Sequence, residues 1–445
     1  MSALARRIAP RALELLTHPG TRAARRFVAE RLRRLRGEPL RVRYFHQVDD
    51  PYSQLAAQLL PELSRRYAIE LLPRLAGPPS DAAAPERERL AAFARRDAAD
   101  IAPGYGLAFP SGAPAPARAQ VALASRILAA AQRSGSFAAL AARVGAALFG
   151  GDAAALTAIA REAGSADDAA AGALADAGSR ERARLGHYLG ATFHFAGEWY
   201  WGVDRLHFLE RRLHELGALR PGAEAALVAP RPDRAAAPRA GAPARPRSER
   251  PRLEFFLSLR SPYSYIAIER VLALARRYPI ELALRPVLPM VMRGLPVPRA
   301  KQLYIVLDTK REAEDAGVSF GRICDPVGRP VERGFSLYPH AVKRGRAAEY
   351  LLAFARAAFA LGIDTGSDAG LRRVVEHAGL RWDEARAELD REGWRAELEQ
   401  NREQLLALGL WGVPSFRLRG GGAPDYSTWG QDRLWRVEQE IRRRL

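Results

Sequence analysis

The chain has 445 residues, a length that suits two or three domains with separate cores. Its formal net charge is +19, but only three of the basic residues are lysines (Lys301, Lys310, Lys343), and no zinc knuckle or aromatic RNA-binding motif accompanies the diffuse arginine charge, so nucleic acid is not an expected partner. The single cysteine, Cys324, excludes an intramolecular disulfide and a Cys-x-x-Cys redox centre, and no run of roughly 18 apolar residues or signal-peptide pattern occurs, so a cytoplasmic location is expected.

Residues 1–38 read as a basic extension. Arginines run from Arg6 to Arg36 around Glu14 and Glu30, with Leu, Ile and Phe27 at roughly helical spacing. That pattern suits a solvated amphipathic helix or a disordered tail, and it also suits weak contact with an anionic membrane surface. Residues 39–217 form the next block. Arg41–Phe45 is a predicted strand, Tyr52–Tyr67 a helix and Ile69–Leu72 a second strand. Alanine-rich helical segments are predicted over about 86–100 and 118–183, and a terminal helix over Leu206–Leu216.

Residues 218–250 are rich in Pro, Ala and Arg. Such a segment has too little apolar content for a core and is expected to be an extended or mobile linker. Residues 251–445 begin with a strand at Leu253–Leu257, a helix at Pro262–Tyr278 and a strand at Ile280–Arg285. A helical stretch follows over about 298–407. A strand at Ser415–Arg419, a turn at Gly420-Gly421-Gly422 and a strand at Asp425–Thr428 come next. Trp429-Gly430-Gln431-Asp432 opens a last helix reaching Arg444.

A displacement of 211 positions superposes Phe45, Pro51, Tyr52 and Ser53 on Phe256, Pro262, Tyr263 and Ser264. The same displacement brings Arg65-Arg66-Tyr67 onto Arg276-Arg277-Tyr278 and Asp97 onto Asp308. The chain therefore reads as two diverged copies of one domain. The fold class expected is α/β: two tandem thioredoxin-like domains, each with an inserted helical domain.

Three elements of the second copy carry chemistry. Ser261 precedes Pro262 at a strand-to-helix junction, where proline suits the first helical position and serine the N-cap. A helix N-terminus of this kind favours an anion, and a thiolate is one; capping alone would equally explain Ser261. In Trp411-Gly412-Val413-Pro414-Ser415-Phe416, Pro414 stands directly before a strand and is a candidate cis peptide. Val413 would then face outwards and could pair with an extended peptide ligand; an ordinary trans turn is the alternative. In Gly430-Gln431-Asp432-Arg433, Asp432 could hold an ammonium group or simply cap the helix.

Together these segments resemble the kappa-class glutathione transferases and the 2-hydroxychromene-2-carboxylate isomerases, members of the DsbA-like thioredoxin superfamily. The resemblance spans nearly all of residues 252–445. It implies that Ser261 hydrogen-bonds a glutathione thiolate, that Val413, beside Pro414, pairs with the tripeptide backbone, and that Gln431 and Asp432 hold its γ-glutamyl end. The stretch from Pro298 to Tyr304 adds Lys301 as a candidate for the glycyl carboxylate. The implied activity is glutathione-dependent transfer or cis-trans isomerisation of a small electrophilic, aromatic substrate, with no metal. Alternatives are a thiol-disulfide oxidoreductase relative lacking Cys-x-x-Cys, and a non-catalytic thiol- or peptide-binding scaffold. Related single-domain enzymes pair, so an internal pseudo-dimer or a homodimer is expected.

The first copy departs from this pattern. Asp50 replaces the serine, and a carboxylate there would repel a thiolate. Gly190-Ala191-Thr192-Phe193 stands where the Gly-Val-Pro-Ser segment would be, with Thr192 set against the proline. Trp201-Gly202-Val203-Asp204 keeps the last element. The first copy therefore reads as a degenerate domain that keeps the fold and loses the thiol site.

Overall fold

The computed structural model describes residues 3–232 and 250–445. Most of the expected linker, residues 233–249, lies outside the described residues. Contacts divide the chain into two compact units. The N-terminal unit comprises residues 25–232 with 298–304; the C-terminal unit comprises the described residues of 3–24, 250–297 and 305–445.

Each unit is built on one four-stranded sheet. The N-terminal sheet contains β1 (Arg41–His46), β2 (Glu70–Leu75), β3 (Thr192–Phe195) and β4 (Glu198–Trp201), in the order β2-β1-β3-β4. The C-terminal sheet contains β5 (Arg252–Leu257), β6 (Glu281–Pro286), β7 (Ser415–Arg419) and β8 (Tyr426–Trp429), in the order β6-β5-β7-β8. In both sheets the first two strands pair parallel and the other neighbours pair antiparallel. A parallel pair needs a long crossover, and the helices after β1 and β5 provide it. The α/β class with two thioredoxin-like sheets is thus what the chain adopts.

The crossovers differ for a reason visible in the residues. After β5 a single helix, Pro262–Arg277, runs to the next strand. After β1 the predicted helix Tyr52–Tyr67 is two helices, Pro51–Ala57 and Leu60–Arg66. Pro61 lies in the first turn of the second one. A proline deeper in a helix would lack its N–H bond and clash with the preceding turn, so the helix restarts there. Leu272 occupies the equivalent place in the continuous helix.

The strands β3 and β4 were not foreseen. They are joined by Ala196 and Gly197, which both take positive φ (44° and 84°), the twist that suits a two-residue hairpin turn. The insertion between β2 and β3 holds five α-helices from Arg87–Ile101 to Asp168–Arg184, with a 3-10 helix at Ala102–Tyr105; that between β6 and β7 runs from Arg299–Asp315 to Trp394–Ala407. The core of the C-terminal unit joins both layers. Leu253, Phe255 and Leu257 of β5 pack with Ile266 and Val271, with Phe335 and Phe354 of the insertion, and with Val437 and Ile441 of the last helix. Phe255 and Phe416 stack at 5.3 Å between centroids. Each such buried side chain contributes about 1.5–3 kcal/mol.

One expectation about connecting segments needs correction. Residues 218–229 do not behave as linker. Ala218 and Ala229 are buried, and the carboxylate of Glu210 accepts the N–H groups of Val228 (2.6 Å) and Ala229 (2.9 Å). That carboxylate also accepts the Tyr67 hydroxyl at 2.9 Å, so one buried acid fastens the segment down despite its poor apolar content. The basic extension forms two helices, Ala3–Thr17 and Pro19–Leu35, divided where Pro19 opens the second.

Candidate functional site

Three segments distant in sequence meet at one end of the C-terminal sheet. Ser261 caps the helix Pro262–Arg277 from an extended backbone (φ −93°, ψ 112°), and its Oγ accepts the N–H of Ser264 at 3.1 Å. The Val413–Pro414 peptide is cis. The Ser261 hydroxyl lies 3.4 Å from the carbonyl of Val413, within reach but at the weak end of hydrogen bonding. The carbonyl of Pro414 accepts the N–H of Gly430 at 2.9 Å, which joins the third segment to the second. Among the described residues the N–H of Val413 has no hydrogen-bond partner. Ser261 and Val413 are both part-exposed, whereas Pro414 and Ser415 are buried.

The loop is shaped by close packing. Trp411 and Trp429 lie 4.8 Å apart at 57°. A Cβ on Gly412 would fall 2.3 Å from the Trp429 ring, so only glycine lets that ring lie against the loop. Gly430 takes φ +118°, and a Cβ there would meet Oδ1 of Asp432 at 2.3 Å. The Asp432 carboxylate is folded back over Gly430, 17% exposed and 3.6 Å from an Arg433 nitrogen.

Two predicted residues serve other ends. Gln431 is buried and its amide is engaged at both ends: Oε1 accepts from Arg270 at 2.6 Å, and Nε2 donates to Glu312 at 2.8 Å. It braces the turn that presents Asp432. Lys301 belongs to the segment that contacts assign to the N-terminal unit, where its Nζ donates to the carbonyl of Ala83 at 2.9 Å. Burial lowers its pKa, and its ammonium lies 6.0 Å from the Tyr188 ring centre. Lys301 is thus engaged within the N-terminal unit.

Sequence reasoning also missed supporting residues. The Tyr263 hydroxyl donates to the buried Asp308 at 2.7 Å, and the Tyr52 hydroxyl donates to Asp97 at 2.8 Å. Both pairs are 211 positions apart, so the matching Asp97 and Asp308 were the signal of a shared anchor between crossover and inserted helices. Arg270 and Glu312 left no such signal. Cys324 is buried, with its N–H on the Ala358 carbonyl at 2.8 Å, and takes no part in the three segments. Cys324→Ser is expected to leave thiol-ligand binding within a few-fold in calorimetry; a hundredfold loss would overturn that expectation.

The corresponding corner of the N-terminal unit is closed. The Asp50 carboxylate caps the helix Pro51–Ala57, accepting from the N–H groups of Tyr52 (3.2 Å) and Ser53 (3.1 Å) and from the Ser53 hydroxyl (2.8 Å). The Ser53 Oγ in turn accepts the N–H of Ala191 at 2.9 Å. Burial pushes the Asp50 carboxyl up to about 6, against the hydrogen bonds that favour its ionised form. Gly190 passes so close that a Cβ would lie 2.7 Å from Gln47 and 3.0 Å from Asp50.

Sheet register corrects the pairing of Thr192 with the proline. Phe45 lies opposite Thr192, and Phe256 lies opposite Ser415. Thr192 thus answers to Ser415, and Ala191 to Pro414. The hydrogen bonds agree, since Gly202 donates to Ala191 as Gly430 donates to Pro414, at 2.8 and 2.9 Å. Ala191 takes φ +53°, and its peptide is not among the cis bonds of the described residues.

Residues 252–442 match the DSBA-like thioredoxin domain family. No curated protein matches the chain. Among solved structures, a 2-hydroxychromene-2-carboxylate isomerase is 20% identical, with a TM-score of 0.37, over 43% of this chain and 95% of its own. The cytosolic disulfide reductase DsbM from Pseudomonas aeruginosa is 21% identical, with a TM-score of 0.35, over 43% and 98%. The same reductase with GSH is 20% identical, with a TM-score of 0.32, over 44% and 100%.

Proposed function

We propose, on the premise that residues 252–442 are a DSBA-like thioredoxin domain, that this domain carries out glutathione-dependent transfer or isomerisation on a small electrophile. The observation that carries the reading is the contact of Ser261, at a helix N-terminus, with the cis Val413–Pro414 peptide. Dithiol exchange by the chain itself is disfavoured, because Cys324 is its one cysteine and is buried. Bound glutathione would supply a thiolate able to add to an electrophilic carbon, to stay there in transfer or to leave again after a double bond has rotated.

The fit of the residues to that ligand is good at the sulfur and partial at its ends. The Ser261 hydroxyl proton is committed only to a 3.4 Å contact, so it can turn towards an anionic sulfur. The N-terminus of a 16-residue helix adds partial positive charge. The N–H of Val413 has no partner among the described residues and can donate to an extended ligand as an added strand. Asp432 can hold the α-ammonium group, braced through Gln431 by Arg270 and Glu312. Gln431 and Lys301 are assigned no direct contact with the ligand.

Calorimetry of the full chain with glutathione should give a stoichiometry near one. Asp432→Ala should weaken binding roughly tenfold to a hundredfold, the worth of a hydrogen bond to a charged group. Asp204→Ala should leave it unchanged, because Asp204 accepts the Tyr105 hydroxyl at 2.8 Å inside the N-terminal unit. A stoichiometry near two, or equal sensitivity to both substitutions, would refute the assignment of one site. Binding without conjugation or isomerase activity across a panel of electrophiles would favour the scaffold reading.

A further inference from the structure

We infer that residues 25–36 present a binding face for anionic phospholipid bilayers. An ordinary surface helix turns its apolar stripe inwards and its charges to water. The helix Pro19–Leu35 has no buried residue, and over residues 25–35 its pattern is reversed. Phe27, Val28, Leu32 and Leu35 are 66%, 54%, 45% and 80% exposed. Their spacing of one, five and eight residues from Phe27 puts them on one side of the helix, together with Arg31.

The opposite side holds charges and attaches the helix. Arg26 makes a bidentate ion pair with Glu198 at 2.6 and 2.9 Å. Arg33 is paired with Glu30 of the same helix at 2.7 and 2.8 Å and donates to the carbonyl of Glu38, just past its end, at 2.5 Å. The polar side is thus satisfied by Glu198 and by the helix's own Glu30, and the apolar side is left outwards. Such a stripe is unexpected on a surface helix without a partner.

Charge selects the occupant. Arg25, Arg31 and Arg36 are exposed and make no ion pair among the described residues. The Arg31 guanidinium lies 6.0 Å from the Phe27 ring centre, at the edge of the apolar stripe. A second copy of the chain would set arginine against arginine across the contact, in a protein of net charge +19. Nucleic acid would satisfy the arginines and leave Phe27, Val28, Leu32 and Leu35 in water. An anionic bilayer offers phosphates at the height of the arginines and an apolar layer beneath them.

The test is flotation of the full chain with vesicles of phosphatidylcholine alone and of phosphatidylcholine mixed with phosphatidylglycerol. Binding is expected to the mixed vesicles only and to weaken with added salt. The triple variant Arg25→Gln, Arg31→Gln, Arg36→Gln should lower partitioning roughly a hundredfold, at about fivefold for each arginine near the surface. The triple variant Phe27→Ser, Leu32→Ser, Leu35→Ser should abolish it while circular dichroism stays that of the parent. Equal binding to both vesicle types, no binding to the mixed vesicles, or binding retained in both variants would overturn the inference. So would a lipid-free dimer in light scattering that the serine variant dissociates, or tighter binding to DNA than to the mixed vesicles.

Discussion

Ser261→Ala is expected to raise the pKa of bound glutathione's thiol and to slow thiol addition by roughly tenfold to a hundredfold, with a smaller effect on affinity. A hydrogen bond to a charged acceptor is worth about 1.5–3 kcal/mol, and that range sets the factor. The effect should fall mainly on the ionised sulfur, because the neutral thiol gains little from a hydroxyl donor. The helix N-terminus persists in the variant, so part of the lowering should remain. Alanine also removes the cap that accepts the Ser264 N–H, at a cost of about 1 kcal/mol in stability. Ser261→Asn separates the two roles. It restores a cap and a donor of different reach, and should recover stability more fully than rate. The readout is thiolate absorbance titrated against pH with saturating ligand. An unchanged thiol pKa in Ser261→Ala would reduce Ser261 to a helix cap, whatever happened to turnover.

How far the residues announced this arrangement differs from place to place. The strand-proline-helix starts at Asp50-Pro51 and Ser261-Pro262 were legible because capping is local chemistry, written in two adjacent residues. The hairpin of β7 and β8 was legible from its glycine run. The β3–β4 hairpin was not, since its turn is Ala196-Gly197 with a non-glycine residue at positive φ. The pairing of Thr192 with proline failed because a linear displacement cannot register insertions of unequal length; only the sheet fixes which residue lies opposite Phe45. The partners of Gln431 and Lys301 were not legible for a common reason. A long polar side chain takes whichever partners the fold brings to it, and Arg270, Glu312 and Ala83 are remote in sequence.

Asp50→Asn is expected to stabilise the N-terminal unit at neutral pH and to remove a pH dependence from it. Burial raises the Asp50 carboxyl from 3.8 to about 6, because the cost of enclosing a charge exceeds what the Ser53 hydroxyl and the two N–H groups return. Some of the residue's surface stays open, but the carboxylate is enclosed by Ser53, Tyr52 and Gly190. A carboxyl whose pKa is higher folded than unfolded holds its proton more tightly in the folded state. Stability therefore falls as pH rises through the window from about 4 to 6, and levels off above it. The full cost above that window is at most about 3 kcal/mol. An asparagine keeps an oxygen for the Tyr52 and Ser53 N–H groups and carries no charge. Denaturant midpoints of parent and variant should nearly coincide below pH 4 and separate progressively towards pH 7, with the variant more stable. Parallel curves across that range would mean that the fold leaves the Asp50 carboxyl unshifted, and a variant less stable at pH 7 than at pH 4 relative to the parent would mean that Asp50 is held as a stabilised carboxylate. Its corner of the fold would then be a seat already filled by the protein's own anion.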